Sequence, residues 1–346
     1  MGLKILHSAD WHLDSPFAGY SLAEQEFLRT ELRKIPGKVA DLCRREACDL
    51  MLLAGDLFEG PHWTRETANI LKESLEDAGV PVFISPGNHD YVAPGSVWLE
   101  ENWPENVHIF RGGLESVAIP SLNCRVYGAG YTAMDCPGLL EGFRAEGTET
   151  YCLGVLHGDA AQVRSPYCPV TASQVRDSGL DYLALGHIHK NGAFRSGDTV
   201  CGWPGTPMGR GWDETGEKGV YLVELDGQPK IRFKLLDTPT FREMEFDSLE
   251  AMADALPPQG NDDFYRITLR GSDMGDISGF MERFPHMTLR DRRGPVQDLW
   301  ETAGEDSLEG VYFRMLQERA GSEDESIARL AAEISRKILR GEEVRL

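Results

Sequence analysis

The chain has 346 residues, 41% of them hydrophobic, which is enough for one large domain with a full core and a smaller appendage. The net charge of −21 argues against non-specific attraction to nucleic acid or anionic lipid, although a local basic rim and metal ions can still hold a nucleic-acid substrate. Seven cysteines without a Cys-x-x-Cys pair indicate reduced thiols of a cytoplasmic protein, and neither a signal peptide nor a membrane-spanning segment is predicted.

The first 90 residues alternate between strand and helix patterns. Strand one begins at Leu3, a second strand covers Asp49–Asp56, and a third begins at Val80 after Gly79. Ser21 can cap a helix that continues through Leu42 with a break at Pro36-Gly37, and Thr64–Ala78 has the apolar periodicity of another helix. This alternation predicts a parallel sheet.

The next segments are shorter. The predicted elements are β-like segments at 107–110, 116–119 and 124–129, a helix near Leu139–Arg144, a strand at 151–156, a helix near 171–178, a strand at 181–186, and antiparallel hairpins within 192–236. We expect the first domain to close at residue 238.

The remainder changes pattern at Pro239. Residues 239–300 predict a small α+β domain, and residues 301–346 predict a helical segment. In the last helix one stripe is aliphatic; its members are Ile327, Leu330, Ala331, Ile334 and Ile338. The stripe packs either on the chain's own body or on a partner, and amphipathicity alone does not separate these two alternatives.

Five apolar strand patterns end in oxygen or imidazole side chains. The residues at these ends are Asp10 and His12, then Asp56, then Asn88, His89 and Asp90, then His157, and finally His187 and His189. The carboxyl ends of strands in an α/β sheet are where ligands bind. A core needs no such residues, so their repetition predicts a metal site.

The residue types narrow the choice of metal ion. Asp10 and His12 are two apart on a segment we expect to be extended, so both side chains should point the same way while Trp11 packs inside. His187 and His189 have the same spacing, and Asp56 can bridge two ions. Carboxylate, amide and imidazole ligands without thiolate favour Mn²⁺, Fe²⁺ or Zn²⁺.

Two such ions about 3.5–4 Å apart can hold a bridging hydroxide and clamp a phosphate for in-line attack. His89 follows Asn88 but exceeds the ligand count. It is therefore the candidate proton donor to the leaving oxygen.

The blocks Asp-x-His, Gly-Asp, Gly-Asn-His-Asp, His and Gly-His-x-His resemble the calcineurin-like metallophosphoesterase superfamily, and they occur in order over residues 8–189. A finer resemblance is to the DNA repair exonuclease branch, the SbcD-like proteins and especially the YhaO-like group. The segments that carry it are Asp10–Phe17, Gly55–Phe58, Pro204–Pro207, Gly209-Arg210 and Glu214–Gly219.

The resemblance implies a metallophosphoesterase-type β-sandwich flanked by helices, a small α+β capping domain and C-terminal helices that engage an SMC-like coiled-coil ATPase. It also implies two divalent ions, with Mn²⁺ as the first expectation. One ion would be held by Asp10, His12, Asp56 and His189, and the other by Asp56, Asn88, His157 and His187. His89 matches the catalytic histidine of the family.

Two departures bear on the substrate. Some nuclease relatives carry a histidine just after Gly-Asp-x-Phe, where this chain has Glu59. The protein phosphatase branch typically has Glu after Asn-His and an arginine shortly after its Gly-Asp block. Here Asp90 follows His89 and Arg65 lies further on, so protein phosphatase activity is disfavoured.

We therefore expect a two-metal phosphodiesterase, a DNA nuclease subunit acting in DNA repair. Two alternatives stay open: a cyclic-nucleotide or small-molecule phosphodiesterase, and a non-catalytic regulatory partner of the ATPase. A homodimer is compatible with either. Metal identity, nuclease polarity and oligomeric state do not follow from the sequence.

The remaining residues of interest have ordinary interpretations. His7, His62, His108 and His286 are expected to be structural or exposed, and Phe17, Trp203 and Trp212 to pack. Four cations follow ligand-bearing strands and form either a cationic rim or solvated surface: Arg164, Lys190, Arg195 and Arg210.

Overall fold

The structure is a computed structural model that describes residues 2–60, 63–272, 275–293, 300–320, 325–339 and 341. The chain forms two compact units. The first comprises Met1–Glu243 with Asp262–Phe264, and the second comprises Met244–Asn261 with Tyr265–Leu346. The three-part division at residues 238 and 300 stays a prediction.

Twelve strands of the first unit form two six-stranded sheets. They are β1 (Leu3–Ser8), β2 (Leu50–Leu53), β3 (Val82–Ile84), β4 (Val107–Ile109), β5 (Glu115–Ile119), β6 (Cys124–Gly128), β7 (Tyr151–His157), β8 (Tyr182–Gly186), β9 (Gly192–Ser196), β10 (Thr199–Trp203), β11 (Gly219–Leu225) and β12 (Lys230–Leu235). The first sheet has the order β12-β11-β1-β2-β3-β4 and the second has the order β5-β6-β7-β8-β10-β9. The predicted β-sandwich is confirmed.

The predicted parallel sheet is also confirmed. Strands β1 to β4 pair in parallel, with Ile5 opposite Leu50 and Met51 opposite Val82. The predicted hairpins form as well, since β9 pairs antiparallel with β10, and β11 with β12.

Each sheet is covered by helices on its outer face. The helices of this unit are α1 (Leu22–Arg33), α2 (Ile35–Arg45), α3 (Arg65–Ala78), α4 (Val97–Glu100) and α5 (Ala172–Asp177). Alternate side chains of β2 pack on opposite faces of the sheet. Leu50 and Leu52 lie in the hydrophobic cluster between the two sheets. Met51 and Leu53 lie in the cluster that includes residues of α1, α2 and α3. Helix α5 packs on the second sheet. Apolar burial on both faces explains why these strands read as continuous apolar runs.

Two predicted helix features are wrong. Leu139–Arg144 is irregular, because Gly142 has a φ of +68°, a left-handed conformation that ends a helical turn. The break in the first helical segment falls at Lys34 rather than at Pro36-Gly37. Pro36 lies in the first turn of α2, where its missing N–H costs no hydrogen bond.

The second unit contains most of a three-stranded sheet and the C-terminal helices. Its elements are β13 (Phe241–Phe246), α6 (Leu249–Ala255), β14 (Phe264–Leu269), α7 (Ser278–Arg283), β15 (Met287–Asp291), a 3₁₀ turn (Glu301–Gly304), α8 (Leu308–Ala320) and α9 (Glu325–Leu339). Strands β13 and β14 begin in the first unit. The order in the sheet is β13-β14-β15, and α8 packs against α9.

The aliphatic stripe of α9 is not its buried face. Ile327, Leu330 and Ile338 are exposed, whereas Ala328 and Ala332 are buried. Packing of the stripe on the chain's own body is therefore wrong for these three residues. Within the described part of the chain, no helix is both long and apolar enough to cross a membrane.

Candidate metal centre

The strand-end residues converge where the two sheets meet. Asp10 and His12 follow β1, Asp56 follows β2, and Asn88 and His89 follow β3 of the first sheet. His157 ends β7 of the second sheet, while His187 and His189 follow β8. The loops after β1 and β2 are joined by backbone hydrogen bonds from Asp10 to Gly55 and from His12 to Asp56.

The backbone at these ends is strained rather than extended. Asp10, His12, Asp56 and His187 all have positive φ angles, of 56°, 48°, 50° and 87°. Such conformations are unfavourable for residues with a side chain and concentrate at functional sites. The expected extended segment at Asp10 and His12 is therefore wrong, although both side chains still reach the same cluster. Trp11 is buried as expected.

Three overlapping triads of donor groups form the cluster. They are Asp10, His12 and His189; His12, Asp56 and His89; and Asp10, Asp56 and His157. Within each triad, one candidate ligand atom per residue lies within 4.8 Å of the others. Asp10, His12 and Asp56 each belong to two of the triads, and the two oxygens of a carboxylate such as Asp56 can bridge two ions.

The two remaining candidates lie beside the triads. Asn88 Oδ1 is 3.0 Å from His157 Nε2. The His187 ring centroid is 5.3 Å from that of His157, and its Nε2 is 3.9 Å from a carboxylate oxygen of Asp159. The backbone N–H of His187 donates to Asp10 Oδ1 at 2.9 Å. His187 belongs to none of the triads found among the described residues.

The donor set fits divalent metal ions. Asp10 Oδ2 is buried and has no hydrogen-bond partner among the described residues, which is costly for a carboxylate unless a cation faces it. His12 Nε2 and His189 Nε2 face each other at 3.2 Å. Imidazole and carboxylate ligands without thiolate are typical of Mn²⁺, Fe²⁺ and Zn²⁺ sites.

A carboxylate or carbonyl orients each of four imidazoles through Nδ1. His12 Nδ1 lies 2.8 Å from Glu59, His89 Nδ1 lies 3.0 Å from the other oxygen of Glu59, and His189 Nδ1 lies 2.7 Å from Glu214. His157 Nδ1 donates to the carbonyl of Ala54 at 2.8 Å. In this tautomer Nε2 carries the ring lone pair, which can ligate a metal ion or accept a proton.

Arg210 links the two carboxylates. Its guanidinium donates to Glu59 at 3.0 Å and to Glu214 at 2.8 Å. Of the two alternatives for this cation, solvated surface is therefore wrong. The sequence did not predict that Glu59 and Glu214 orient histidines, because a Glu that hydrogen-bonds a distant histidine has no local sequence signal.

Burial and neighbouring charges shift the pKa values of four residues of the cluster. Burial opposes ionisation of Asp56, but the adjacent His157 holds the pKa of Asp56 well below its usual range. Burial likewise lowers the pKa of His157, but Asp56 outweighs it and raises that pKa to about 9. The hydrogen bond to Glu59 raises the pKa of His89, whereas burial lowers that of His12. A ligating imidazole must be neutral, so a metal ion bound by His157 would displace its proton.

The carboxylate of Asp90 connects the loops that follow β2 and β3. It accepts hydrogen bonds from the backbone N–H groups of Gly87, Asp56, Leu57 and Phe58 at 2.7–3.3 Å. The loops after β2 and β3 are thereby held together. Gly87 allows their close approach, since a Cβ there would lie 2.2 Å from an oxygen of Asp56.

The other singled-out residues have the ordinary roles that were expected. His7 is buried and hydrogen-bonded to Tyr182 and Leu185, and His108 is 3.5 Å from Glu115. Phe17, Trp203 and Trp212 pack in or against hydrophobic clusters. Arg164 and Lys190 are exposed, Arg195 is exposed and bonds Gln228, and His286 is half-buried. His62 lies outside the described residues.

The chain is similar in sequence to a known family and to individual known proteins. The sequence model of the calcineurin-like phosphoesterase family matches residues 3–191. The chain is 32% identical to the uncharacterized metallophosphoesterase YhaO of Bacillus subtilis, over 90% of this chain and 79% of that protein. It is 24% identical to the SbcD component of the nuclease SbcCD of Staphylococcus epidermidis, over 70% of this chain and 71% of that protein.

Among solved structures, one similar chain is a dimetal phosphatase from Danio rerio. The match covers 68% of this chain and 98% of that chain, with 14% sequence identity and a TM-score of 0.45.

Proposed function

The chain belongs to the calcineurin-like phosphoesterase family, and from that premise we propose that it is a two-metal phosphodiesterase that cleaves DNA as a nuclease subunit in DNA repair. The family makes it a metal-dependent phosphoesterase. The observation that supports a two-metal site is the cluster of three overlapping triads, two of which share Asp56, with the half-exposed His89 at its edge.

The proposed ligands follow the family pattern. Asp10, His12, Asp56 and His189 hold one ion, while Asp56, Asn88, His157 and His187 hold the other. Mn²⁺ is the proposed metal, with Fe²⁺ and Zn²⁺ as the alternatives. When bound, two such ions activate water and neutralise the charge of the phosphoryl group.

His89 is proposed as the proton donor to the leaving oxygen. Its Nδ1 is occupied by Glu59, so Nε2 is the atom available for transfer. The raised pKa of His89 favours the protonated form that a general acid needs. His89 also belongs to a donor triad, so its metal-ligand role is the alternative. Metal analysis of His89→Ala separates them, since a proton donor can be removed without loss of metal.

DNA is proposed as the substrate because a relative matched over most of its length is a nuclease component. Asp90 after His89 disfavours the protein phosphatase alternative. Glu59 stands where some nuclease relatives carry a histidine, and here it contacts His12, His89 and Arg210.

An ATPase partner is proposed for the C-terminal helices. Within the second unit, α8 and α9 border an apolar groove of about 710 Å³, and its main side chains are Leu308, Val311, Tyr312, Met315, Ile338 and Leu339. All six side chains are exposed. An apolar surface of this kind is typical of an interaction site. A coiled-coil ATPase is the proposed occupant, and a second copy of the chain is the alternative.

The decisive assay compares four substrates in the presence of Mn²⁺: duplex DNA, single-stranded DNA, a cyclic nucleotide and bis-p-nitrophenyl phosphate. We expect hydrolysis of DNA and of the generic diester, with and without the candidate ATPase. Exclusive hydrolysis of the cyclic nucleotide would replace DNA by the small-molecule alternative. No hydrolysis of any substrate by protein that holds two ions would favour the non-catalytic alternative.

The matched control is Asp56→Asn. Because Asp56 is the only proposed bridge, this variant should lose both ions or bind both more weakly, and it should lose all activity. Elemental analysis that finds two ions per chain in the variant would contradict the ligand assignment.

A further inference from the structure

A cavity of about 260 Å³ opens beside His89 in the first unit. Its walls include His89 and the side chains of Phe58, Trp63, Tyr91 and Val97. We call this cavity the His89 pocket. It is formed by the two loops that also carry Asp56 and Asn88, and it borders the candidate metal centre at His89, which belongs to both.

The pocket is lined in large part by aromatic and aliphatic side chains, and several of its polar groups are already hydrogen-bonded. The indole N–H of Trp63 donates to the carbonyl of Gly95 at 3.0 Å, and that of the underlying Trp98 donates to the carbonyl of Asp90. The carboxylate of Asp90 is itself taken up by backbone N–H groups. Phe58 and Val97 are buried, whereas Trp63 and Tyr91 are half-buried. Such a pocket suits a flat, weakly polar ring.

The position of His89 says which part of a substrate would enter. Hydrolysis adds one water across a phosphorus–oxygen bond. The water oxygen bonds to phosphorus, while the leaving oxygen keeps the electron pair of the broken bond and takes up a proton. If His89 gives that proton, the group attached to the leaving oxygen lies on the same side as His89, where the pocket is.

We propose that the His89 pocket binds the nucleobase of the leaving nucleoside, by stacking on Trp63 and Tyr91. This inference rests on the proposed phosphodiesterase function and deepens it. The pocket would make the enzyme prefer diesters whose leaving group is a nucleoside over diesters of sugars or simple alcohols. Stacking accepts any base, so it provides selection for nucleosides without sequence specificity.

The test uses a dinucleoside monophosphate with two adenines and its two analogues that each lack one base. Removing the base of the leaving nucleoside should lower kcat/KM of the Mn²⁺-loaded wild type by about 10-fold, the effect of losing one stacked base. Trp63→Ala should lower kcat/KM for the complete substrate by a similar factor. It should leave kcat/KM unchanged for the analogue that lacks the base of the leaving nucleoside. Trp63→Phe keeps a ring face and should retain the preference.

Equal losses on both substrates in Trp63→Ala, or a wild type indifferent to both missing bases, would overturn the proposal. Binding without turnover gives a separate readout: calorimetry should show deoxyadenosine 5′-monophosphate binding more tightly than deoxyribose 5-phosphate in the wild type, and equally in Trp63→Ala. If no diester is hydrolysed, the proposed function fails. Equal binding of the two monophosphates by the wild type rejects the pocket itself.

Discussion

At the scale of single residues, Glu59 holds two imidazoles with one carboxylate. One oxygen faces His12 Nδ1 and the other faces His89 Nδ1, while Arg210 fixes the carboxylate from the side. A proposed ligand and the proposed proton donor are thus oriented by the same group. Outer contacts of this kind set the tautomer and basicity of the imidazoles that they hold.

Glu59→Gln tests this arrangement. An amide offers one acceptor oxygen instead of two, so either His12 or His89 loses its partner. We expect kcat or metal affinity to fall about 10–100-fold, the usual cost of removing such a contact. Steady-state kinetics with Mn²⁺ titration measures both. The exposed Glu141→Gln is the matched control, and a Glu59→Gln protein that behaves like it would contradict the role.

The buried His7 predicts a pH dependence of stability that is independent of the metal centre. Burial lowers the pKa of His7 to about 3 from its ordinary value of 6.5. Below pH 6.5 the unfolded chain therefore binds a proton that the folded chain does not. The stability that this group contributes is present above pH 6.5 and is lost as the pH falls toward 3.

His7→Gln removes this titration. Between pH 6 and pH 4 the free energy of unfolding should fall less steeply than in the wild type, by up to about 1.4 kcal/mol per pH unit. Urea denaturation in the presence of a chelator measures the slope without any contribution from bound metal. Identical slopes for the two proteins would show that His7 is not the group responsible.

At the scale of elements, α9 separates its aliphatic side chains from its buried face. Ala328 and Ala332 are buried, and Ala332 belongs to a small cluster with Phe313 of α8. The small alanines let the two helices approach, while Ile327, Leu330 and Ile338 are left on the outside. These three side chains are therefore not buried between the helices and are accessible to a partner.

Ile338→Glu and Ala332→Glu form a matched pair on this helix. Ile338→Glu should leave Tm nearly unchanged, because exposed substitutions usually stay within about 0.5 kcal/mol, and should abolish capture by the ATPase. Ala332→Glu buries an unpaired carboxylate and should cost several kcal/mol. Thermal denaturation and a pull-down with the ATPase measure both. Normal ATPase binding by Ile338→Glu would remove the docking proposal.

At the scale of the molecule, the centre ties five strands from two sheets to one place. Among the described residues Asp10 Oδ2 has no hydrogen-bond partner, and His12 Nε2 faces His189 Nε2 at 3.2 Å, so a cation would satisfy atoms that the protein alone does not. Metal binding should therefore stabilise the first unit in addition to enabling catalysis.

Metal removal tests this linkage. At a free Mn²⁺ concentration about 100-fold above Kd, one site adds about 2.7 kcal/mol to the free energy of unfolding. Denaturation with Mn²⁺ and with a chelator should differ by at least this amount in the wild type. Asp56→Asn should show no such difference, and a wild type with the same stability in both conditions would contradict the linkage.

The sequence by itself determined most of the strands of the first unit, the parallel pairing of β1 to β4 and which strand ends carry polar side chains; the site roles of those side chains stay a prediction. These follow from local patterns: a buried strand reads as an apolar run, and a polar donor directly after it falls at the sheet edge. Asp56 and His157, for example, follow from this rule. The helix predicted at Leu139–Arg144 does not form, because the left-handed conformation of Gly142 outweighs the helical periodicity.

Only the tertiary structure decided how the centre is oriented and charged. The network of Glu59, Arg210 and Glu214 joins residues that are 151 positions apart, and no local period records such a contact. The positive φ angles at Asp10 and His12 are likewise imposed by the paired loops after β1 and β2. The pocket beside His89 and the exposed stripe of α9 depend on which surfaces are covered, a property of the folded chain that periodicity does not contain.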